Sequence, residues 1–315
     1  MALPNQKSLL DLPEKFLVRV ADKLDFPSQA RLRTVCKELG KIVDQAKPSI
    51  DALWCDFNKD RNLKLSAKIG IFNNQQGKHD KDVSAEKHYD EEDLEAALDD
   101  IENFLKNPRL QLNFFIFYNS ISPVVDMQLI EISNALDHQL EVKYLKLGLN
   151  GVSLVNFLRK INPNTLKTIG SRGKLEPRDI DRLVQLEQWK KAERIDFKAD
   201  FSDFSRLSRH FLHFKRVEIE VVSFSIDEML SMKQFFNQSN KLEVFSIDGR
   251  NNLTREGIEF AFGPPVFEFK KDKGFYPHHA PGTYSSFAIQ GTKDFFKLGF
   301  YESQVILARS DKKSN

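Results

Sequence analysis

The residues of this sequence that could carry chemistry are a few histidines and one run of acids. His210 and His213 lie three residues apart in a segment predicted to be helical, a spacing that can hold a metal ion, but no nearby cysteine or third histidine completes a ligand set. The acidic run at residues 90–93 is explained by the positive N-terminal end of a predicted helix, because hard cations need oxygen ligands that converge from a loop. The sequence therefore predicts no metal site.

The short motifs of common enzyme classes do not occur in the chain. It has no phosphate-binding glycine loop, H-E-x-x-H, C-x-x-C or G-x-S-x-G. His278 and His279 stand beside proline and glycine, where turn residues are expected. We expect no cofactor and no catalytic residue. An unrecognised enzyme stays open as an alternative, and it would require a cluster of perturbed acids or histidines in a cleft beside the predicted repeats.

Composition bounds the class of protein. The chain has 315 residues, of which 41% are hydrophobic, enough for a sizeable core and, by length, two units. Its 47 Lys and Arg nearly balance its 45 Asp and Glu, so neither nucleic acid nor an anionic membrane is predicted as a partner. The first residues do not resemble a secretory signal, and the longest apolar stretch, 114–118, is too short to span a bilayer, so an intracellular protein, cytoplasmic or nuclear, is expected. Cys36 and Cys55 stand among apolar neighbours and are predicted to be free thiols.

The elements that organise the chain begin at residues 10–43. Asp11 is placed to cap a helix whose first turn holds Pro13 and Glu14. The apolar residues that follow at helical spacing and form one stripe are Phe16, Leu17, Val20 and Leu24. Residues 25–28, Asp-Phe-Pro-Ser, are predicted to break the chain after this helix.

A second apolar series with helical spacing follows the break. Its members are Leu32, Val35, Cys36, Leu39, Ile42 and Val43. Gly40 is a position at which the series could divide into two short helices. Units below about 40 residues seldom bury enough surface to be stable alone, so this excess of large apolar groups predicts that some face a partner chain. The alternative is that all of them pack against the rest of this chain.

These residues carry a resemblance to a known module. Leu12-Pro13-Glu14, Phe16-Leu17 and Val35-Cys36-Lys37 resemble the F-box, a three-helix module that docks on the SKP adaptor of a cullin-based ubiquitin ligase. The residues that this resemblance assigns to adaptor binding are Leu12, Pro13, Phe16, Leu17, Val20, Leu24, Leu32, Val35 and Cys36.

The segment after this module predicts a hairpin, a loop and a helix. Residues 63–71 alternate apolar and other side chains as a half-buried strand does, residues 50–57 are the expected partner strand, and the polar residues 58–62 suit a turn. Residues 73–84 have little to bury and predict a mobile loop. A helix is predicted from the acidic run to residue 105.

From residue 112 onward an apolar-x-x-apolar-x-apolar pattern recurs. Its copies begin at Leu112, Val142, Leu166, Ala192, Phe214 and Leu242, the third being degenerate. Most copies start between about 20 and 29 residues apart, the range of leucine-rich repeats, and helical spacing fills the segments between them. The pattern predicts an irregular leucine-rich-repeat-like α/β solenoid with a parallel sheet. The alternative is an ordinary α/β domain without true repeats.

The C-terminal part of the sequence has a different pattern of apolar residues. Short alternating strands are predicted at 266–269, 286–289, 295–300 and 304–307, which favours an antiparallel β meander that caps the last apolar face of the repeats. The predicted fold class is α+β. The predicted segments are 8–48 for the helical module, 49–89 for the hairpin and loop, 90–263 for the repeats, 264–309 for the cap and 310–315 for a polar tail.

The second part of the chain carries its own resemblance. The segments L-E-A-A-L from Leu94, L-E-Q-W-K-K-A from Leu186 and L-E-V-F-S-I from Leu242 are similar to the FTH domain that follows an F-box in the nematode F-box A family. This resemblance implies a non-catalytic subunit that recruits a target protein to an SKP-cullin-F-box ubiquitin ligase. The alternative is an adaptor-bound protein that sequesters or regulates its partner without ubiquitin transfer.

Strand alternation predicts where a target would bind. Side chains between the inward apolar positions of each repeat strand point to the open face of the sheet. Aromatic and arginine residues are enriched at binding hot spots. The target-binding residues predicted on this basis are Tyr144, Arg194, Asp196, Arg216 and Glu218. Two alternatives stay open: the loop 73–84 or a helix covers the first strand, or the loops at 276–284 select the target.

Overall fold

The computed structural model shows an α+β chain made of two compact units. Unit 1 comprises Met1–Gly148 and Asn156–Leu166, and unit 2 comprises Leu149–Val155 and Lys167–Asn315. The residues that the structure describes are 9–24, 26–48, 50–59, 65–72, 83–121, 123–173, 175–198, 209–251, 253–263, 267–270, 283–288, 295–300 and 304–310. Each unit has its own apolar core on one face of a β-sheet.

Unit 1 begins with three short helices. They are α1 (Glu14–Ala21), α2 (Phe26–Val35) and α3 (Lys37–Gln45), preceded by a 3-10 turn at Leu9–Asp11. The buried residues that form their common core are Leu17, Ala21, Leu39, Ile42 and Ala46. Gln29 lies buried beside this core, where its side-chain amide donates to the carbonyls of Ala21 and Lys47 and so satisfies two buried acceptors.

The helix boundaries differ from the sequence prediction in three places. Helix α1 has Pro13 at its N-cap position, so Asp11 lies in the preceding turn and does not cap it. Helix α2 already begins at Phe26, within the segment predicted to break the chain, because a proline in a first helical turn has no hydrogen bond to lose. The second apolar series divides at Cys36, whose backbone is extended, and α3 runs through Gly40 without a break.

The sheet of unit 1 has the strand order β3-β2-β1-β4-β5. The strands are β1 (Ala52–Lys59), β2 (Leu65–Phe72), β3 (Val83–Asp90), β4 (Gln111–Asn119) and β5 (Glu141–Leu147). Strands β1, β2 and β3 pair antiparallel, whereas β4 pairs parallel with both β1 and β5. The hairpin of β1 and β2 was predicted; β3 was not, and its first residues, 83 and 84, belong to the segment predicted as a loop. The rest of that segment lies outside the described residues.

Two helices cover the inner face of this sheet. Helix α4 (Leu94–Leu105) follows a 3-10 turn at Glu91–Asp93, and α5 (Pro123–Ala135) connects β4 to β5. The inward residues of α4 are Ala97, Leu98, Ile101 and Leu105, and those of the strands include Phe57, Phe115 and Phe117. Helix α4 therefore begins directly after the acidic run, whose last three residues form its leading 3-10 turn.

Unit 2 alternates parallel strands and helices along the chain. The strands are β6 (Thr168–Ser171), β7 (Arg194–Lys198), β8 (Arg216–Phe224) and β9 (Val244–Asn251), each parallel to the one before. The helices are α7 (Pro177–Leu183), α8 (Glu187–Lys191), α9 (Ile226–Gln238) and α10 (Arg255–Phe262), and α6 (Gly151–Leu158) belongs to this unit only up to Val155. Helix α9 starts with a capping box between Ser225 and Glu228, and α10 ends at Gly263, whose φ of 83° favours glycine.

The inward positions of these strands are filled by the apolar residues of the recurring pattern. Ile195, Phe197, Val217 and Ile219 are all almost fully buried, and Trp189 packs its ring edge-on against Phe214 at a centroid distance of 5.1 Å. The period-2 alternation of the strands thus separates one buried face from one accessible face.

Four antiparallel strands complete the sheet of unit 2. They are β10 (Phe267–Lys270), β11 (Thr283–Ala288), β12 (Phe295–Phe300) and β13 (Gln304–Ser310). Strand β13 pairs with both β12 and β9, which gives the order β6-β7-β8-β9-β13-β12-β11-β10. Among the described residues, no helix of the chain is long and apolar enough to cross a membrane.

Candidate functional site

Helix α1 separates its apolar stripe into a buried and an exposed part. Leu17 is only 5% exposed and packs in the core of the three helices. Leu12, Phe16 and Val20 are 40%, 52% and 37% exposed, although all three are apolar. Phe16 and Val20 are four residues apart and lie on one side of α1, and Leu12 stands just before the helix. We call Leu12, Phe16 and Val20 the α1 row.

The remaining residues predicted to bind an adaptor fall into two groups. Leu32 and Cys36 are half-buried and pack against the helical core, and Leu24 is also half-buried. Pro13 is exposed, and Val35, at 67%, is more exposed than any residue of the α1 row. Sequence analysis did not single out Leu9 and Leu10 as adaptor-binding residues, yet both are exposed leucines in the turn before α1.

Polar contacts hold the ends of α1 and α3 against the sheet of unit 1. Arg109, in the turn between α4 and β4, donates to the carbonyl of Gln45 and lies 3.6 Å from the carboxylate of Asp22. The other carboxylate oxygen of Asp22 accepts a 2.7 Å hydrogen bond from the backbone N–H of Lys47, and the Lys47 ammonium donates to Gln111 of β4. We call Asp22, Lys47 and Arg109 the clamp.

The accessible face of unit 1 is rich in aromatic residues. Strand β4 places Phe114, Ile116 and Tyr118 there, and Phe114 is 41% exposed. The Phe114 ring lies 5.3 Å from the ring of Tyr144 on β5, the strand position with which it is paired. Trp54 on β1 is paired with Ile116 and is half-buried on the same face, because paired strand positions share a face.

Trp54 is a member of this face that sequence analysis missed. The hairpin prediction assigned residues 50–57 to a strand without saying which strand would lie beside β1. Only the parallel pairing of β1 with β4 brings Trp54 next to Ile116. We call Trp54, Phe114, Ile116, Tyr118 and Tyr144 the aromatic face.

The accessible face of unit 2 is charged, and its charges are largely paired with one another. Arg194 and Arg216 are paired strand positions, as are Asp196 and Glu218. The Arg216 guanidinium lies 2.5 Å from the Glu218 carboxylate. Such a pair between partly exposed groups is worth about 0–1 kcal/mol, so it orders the side chains more than it stabilises the fold.

One arginine that sequence analysis did not consider joins three strands of this face. Arg172 follows β6, and its guanidinium lies 3.6 Å from Asp196 on β7 and 2.8 Å from Glu220 on β8. Glu220 also pairs with Lys198. The fold therefore brings together the four charged residues predicted here to bind a target, Arg194, Asp196, Arg216 and Glu218. Three of them already form ion pairs: Asp196 with Arg172, and Arg216 with Glu218.

The histidines and acids considered at the outset do not form a metal site in the described part of the chain. His213 Nε2 lies 2.9 Å from the carbonyl of Trp189, so this nitrogen carries the proton and donates. Burial lowers the pKa of His213, which keeps the ring neutral. His210 lies in the 3-10 turn Arg209–Phe211, not in an α-helix as predicted.

A carboxylate cluster ties α4 to β3. Burial alone would raise the pKa of Asp100, but hydrogen bonds from Lys87 and Tyr89 outweigh it and hold that pKa below its ordinary value. Burial raises the pKa of the Tyr89 hydroxyl, and its bond to Asp100 adds to this effect.

Cys36 and Cys55 are both free thiols, as predicted. The buried Cys55 has a raised pKa because burial disfavours the thiolate.

Comparisons with known proteins agree with this arrangement. A model of the F-box domain matches residues 9–50, which contain α1, α2 and α3. A model of the FTH domain matches residues 125–265, from α5 to the end of α10. The chain is similar to F-box A protein 224 of Caenorhabditis elegans, with 23% identity over an alignment that covers 94% of this chain and 80% of that protein.

Proposed function

We infer that this chain, an F-box A family protein in which an F-box precedes an FTH domain, recruits a target protein to an SKP-cullin-F-box ubiquitin ligase. The F-box would bind the SKP adaptor and through it the cullin scaffold, inside the cell. The FTH domain would hold the target. The chain would not be an enzyme: it would act by raising the effective concentration of the target near the ubiquitin-charged enzyme.

The observation that carries this proposal is the α1 row. The three helices already fill their own core with Leu17, Leu39 and Ile42, yet Phe16 is left 52% exposed. An exposed aromatic side chain between two exposed aliphatic ones is the composition of an interface centre, where large apolar anchors contribute most of the binding energy. We propose that Leu12, Phe16 and Val20 contact the adaptor, together with Pro13 and Val35.

The other residues assigned to the adaptor interface would act differently. Leu17 is buried, and Leu32 and Cys36 pack on the helical core. Their part in binding would be to hold the helices in place rather than to touch the adaptor. Leu24, which is half-buried in the turn after α1, would lie at the margin of the interface.

We propose that the target is bound on the accessible faces of the repeat strands. In unit 1 the aromatic face, with Tyr144, supports this because exposed aromatic rings bury much area at little cost in side-chain entropy. In unit 2 the proposed contacts are Arg194, Asp196, Arg216 and Glu218. The alternating strands and helices also support a leucine-rich-repeat-like solenoid, in which one face is left for binding.

The experiment that tests the adaptor interface replaces Phe16 by Ala and measures recovery of the SKP adaptor in a pull-down. Loss of a central aromatic anchor should weaken binding by about 2 kcal/mol, which is about thirtyfold. Phe260→Ala is the matched control, because Phe260 is 82% exposed on α10 and lies outside the F-box. Unchanged adaptor binding by a folded Phe16→Ala protein would contradict the proposal.

A further inference from the structure

Helices α4 and α5 of unit 1 leave a groove of about 390 Å³ between them. Apolar residues of both helices line it: Leu98 of α4 is buried, Ile132 of α5 is half-buried, and Ala135 at the end of α5 is exposed. The groove lies on the helix side of the sheet, so it is separate from the aromatic face on the accessible side.

Helix α5 is apolar on its outer side as well as on its core side. The core side buries Val125 and Leu129. On the outer side, Val124 is 58% exposed and Met127 is 60% exposed. Met127 is one turn from Glu131, which lines the groove, so these apolar side chains extend the groove surface. A surface helix normally turns polar residues to solvent, and an exposed apolar patch beside charged residues indicates a surface that another chain covers.

The charges around this groove have one sign. Neither α4 nor α5 contains a Lys, Arg or His. Lys106, which follows α4, pairs with Glu102 at 2.9 Å, whereas the other acids that line the groove make no ion pair within the described part of the chain. The whole chain has a net charge of +2, so composition does not account for this local excess of acids. We call the lining acids the acidic rim: Glu95, Asp99, Glu102 and Glu131.

The helix dipole accounts for only one member of the acidic rim. Glu95 stands in the first turn of α4, where the positive end of the helix favours an acid. Asp99 and Glu102 lie beyond that turn, and Glu131 lies in the second half of α5. Asp99 is also four residues from Glu95 and three from Glu102, spacings at which like charges destabilise a helix. Cations of a partner would relieve this repulsion.

We propose that the groove between α4 and α5 docks a basic amphipathic helix of a partner protein. The apolar side of that helix packs on Leu98, Met127 and Ile132, through the ridges and grooves by which helices pack in a core. Its Lys and Arg side chains face the acidic rim, and their apolar stems cover the apolar residues below. The acidic rim would repel nucleic acid and an anionic membrane, so a polypeptide is the occupant. This inference does not rest on the proposed function.

The probe is a fluorescein-labelled helical peptide of about 15 residues, or about four turns, with Leu along one side and Lys along the other. Its anisotropy is measured as the full chain is added. We expect saturable binding that Asp99→Lys with Glu131→Lys weakens at least about tenfold, because these substitutions reverse two charges of the acidic rim. Asp99→Asn with Glu131→Gln should weaken it less. Both acids are exposed, so the variants should keep the circular dichroism of the parent.

Met127→Gln tests the apolar part of the groove and should weaken peptide binding with no change in charge. Its control is Val152→Gln, since Val152 is 49% exposed on α6 and does not line the groove. Unchanged binding by the Met127 variant would overturn the docking of an apolar helix side. Equally tight binding of a peptide with the same residues in scrambled order would overturn it as well.

The control for charge carries Asp227→Lys and Glu243→Lys, two exposed acids of unit 2 outside the groove. It has the same net charge as the Asp99 and Glu131 variant and should bind the peptide as the parent does. An equal loss in this control would overturn the proposal in favour of general charge attraction. A dimer of the parent that Met127→Gln abolishes in analytical ultracentrifugation would overturn it in favour of a second copy of this chain. Absence of peptide binding to a chain that still binds the SKP adaptor would overturn this inference alone and leave the proposed function standing.

Discussion

The guanidinium of Arg109 lies 3.6 Å from the carboxylate of Asp22, and this pair joins the turn before β4 to the end of α1. The same guanidinium donates to the carbonyl of Gln45 at the end of α3. Two of the three F-box helices are thus held by one side chain of the segment between the F-box and FTH matches. The contact fixes the direction in which the α1 row faces relative to the sheet of unit 1.

We predict that Arg109→Ala loosens the F-box without unfolding it. The loss of one partly exposed ion pair and one hydrogen bond should lower the free energy of unfolding by about 1 kcal/mol. Faster hydrogen exchange at the backbone N–H of Lys47, which donates to Asp22, is the measurement that reports the clamp directly.

Lys106→Ala is the control for this prediction. Lys106, at the C-cap of α4, pairs with Glu102 of the same helix at 2.9 Å, a local contact that does not reach the F-box. Its removal should leave exchange at Lys47 unchanged. Equal exchange rates in the Arg109 variant and the parent would show that the clamp does not hold the helices.

Much of this arrangement could be predicted from the sequence, and the limits have physical causes. Helical spacing identified the apolar stripe of α1, but it could not separate Leu17, which faces the core, from Phe16, which does not, because the two are neighbours in one stripe. Strand β3 was missed because V-S-A-E-K-H-Y-D has little apolar alternation. The clamp and Trp54 depend on which segments meet in the fold, which spacing along the chain does not encode.

The same limit applies to the target-binding residues. Alternation predicted correctly that Tyr144, Arg194 and Arg216 do not lie on the buried face. It could not predict that Arg216 pairs with Glu218, because that pair depends on side-chain conformations. Arg172 was not predicted because it lies just after β6, where the alternation of inward and outward side chains ends.

Leu17 and Leu12 should respond differently to the same substitution. Leu17→Ala removes a buried side chain from the core of the helices and should lower the free energy of unfolding by about 3 kcal/mol. Leu12→Ala changes an exposed position and should lower it by less than about 0.5 kcal/mol while weakening adaptor binding. Urea unfolding of both variants, with adaptor binding measured in parallel, checks this. A similar stability loss for both would mean that Leu12 is a core residue.

The aromatic face should matter more for target recovery than the charged face. Tyr144→Ala with Phe114→Ala removes two tilted rings whose centroids lie 5.3 Å apart and should reduce recovery of the bound target at least about tenfold. Arg194→Ala with Arg216→Ala should reduce it less, because Arg216 is engaged by Glu218. Quantitative mass spectrometry of proteins that co-purify with each variant is the measurement.

Two results would contradict that prediction and assign target binding to another surface. A larger loss for the arginine variant would assign the target to the charged face of unit 2. An intact set of recovered proteins for both variants, with the adaptor still bound, would move target selection to the loops at residues 276–284, most of which lie outside the described residues.

Stability should depend on pH through Asp100. Its pKa is lowered in the folded protein from an ordinary value of 3.8, so its interactions stabilise the fold above that pH and are lost as the pH falls below it. Asp100→Asn removes this contribution. The free energy of unfolding of the variant should therefore fall less steeply than that of the parent between neutral and strongly acidic pH, as measured by urea titrations across this range. Parallel pH profiles would show that the bonds from Lys87 and Tyr89 do not favour the ionised form.

The abundance of the recovered target should rise when the cullin ligase is inhibited. This follows if the chain recruits a substrate for ubiquitin transfer and degradation. The Phe16→Ala protein should produce the same rise without the inhibitor, because a target held away from the adaptor is not modified. A target that co-purifies but keeps its abundance in both conditions would favour the non-degradative alternative, in which the chain regulates its partner by binding alone.

Strand β13 comes after β12 in the chain but lies between β12 and β9 in the sheet. During translation, β9 is therefore made while the segment that will cover its edge, Gln304–Ser310, does not yet exist. At about 5–20 residues per second the nascent chain carries this uncovered edge for several seconds, long enough for it to pair with a strand of another molecule. A premature stop codon before residue 304 would make that exposure permanent, so a shortened product should depend on chaperones and be removed by cellular quality control.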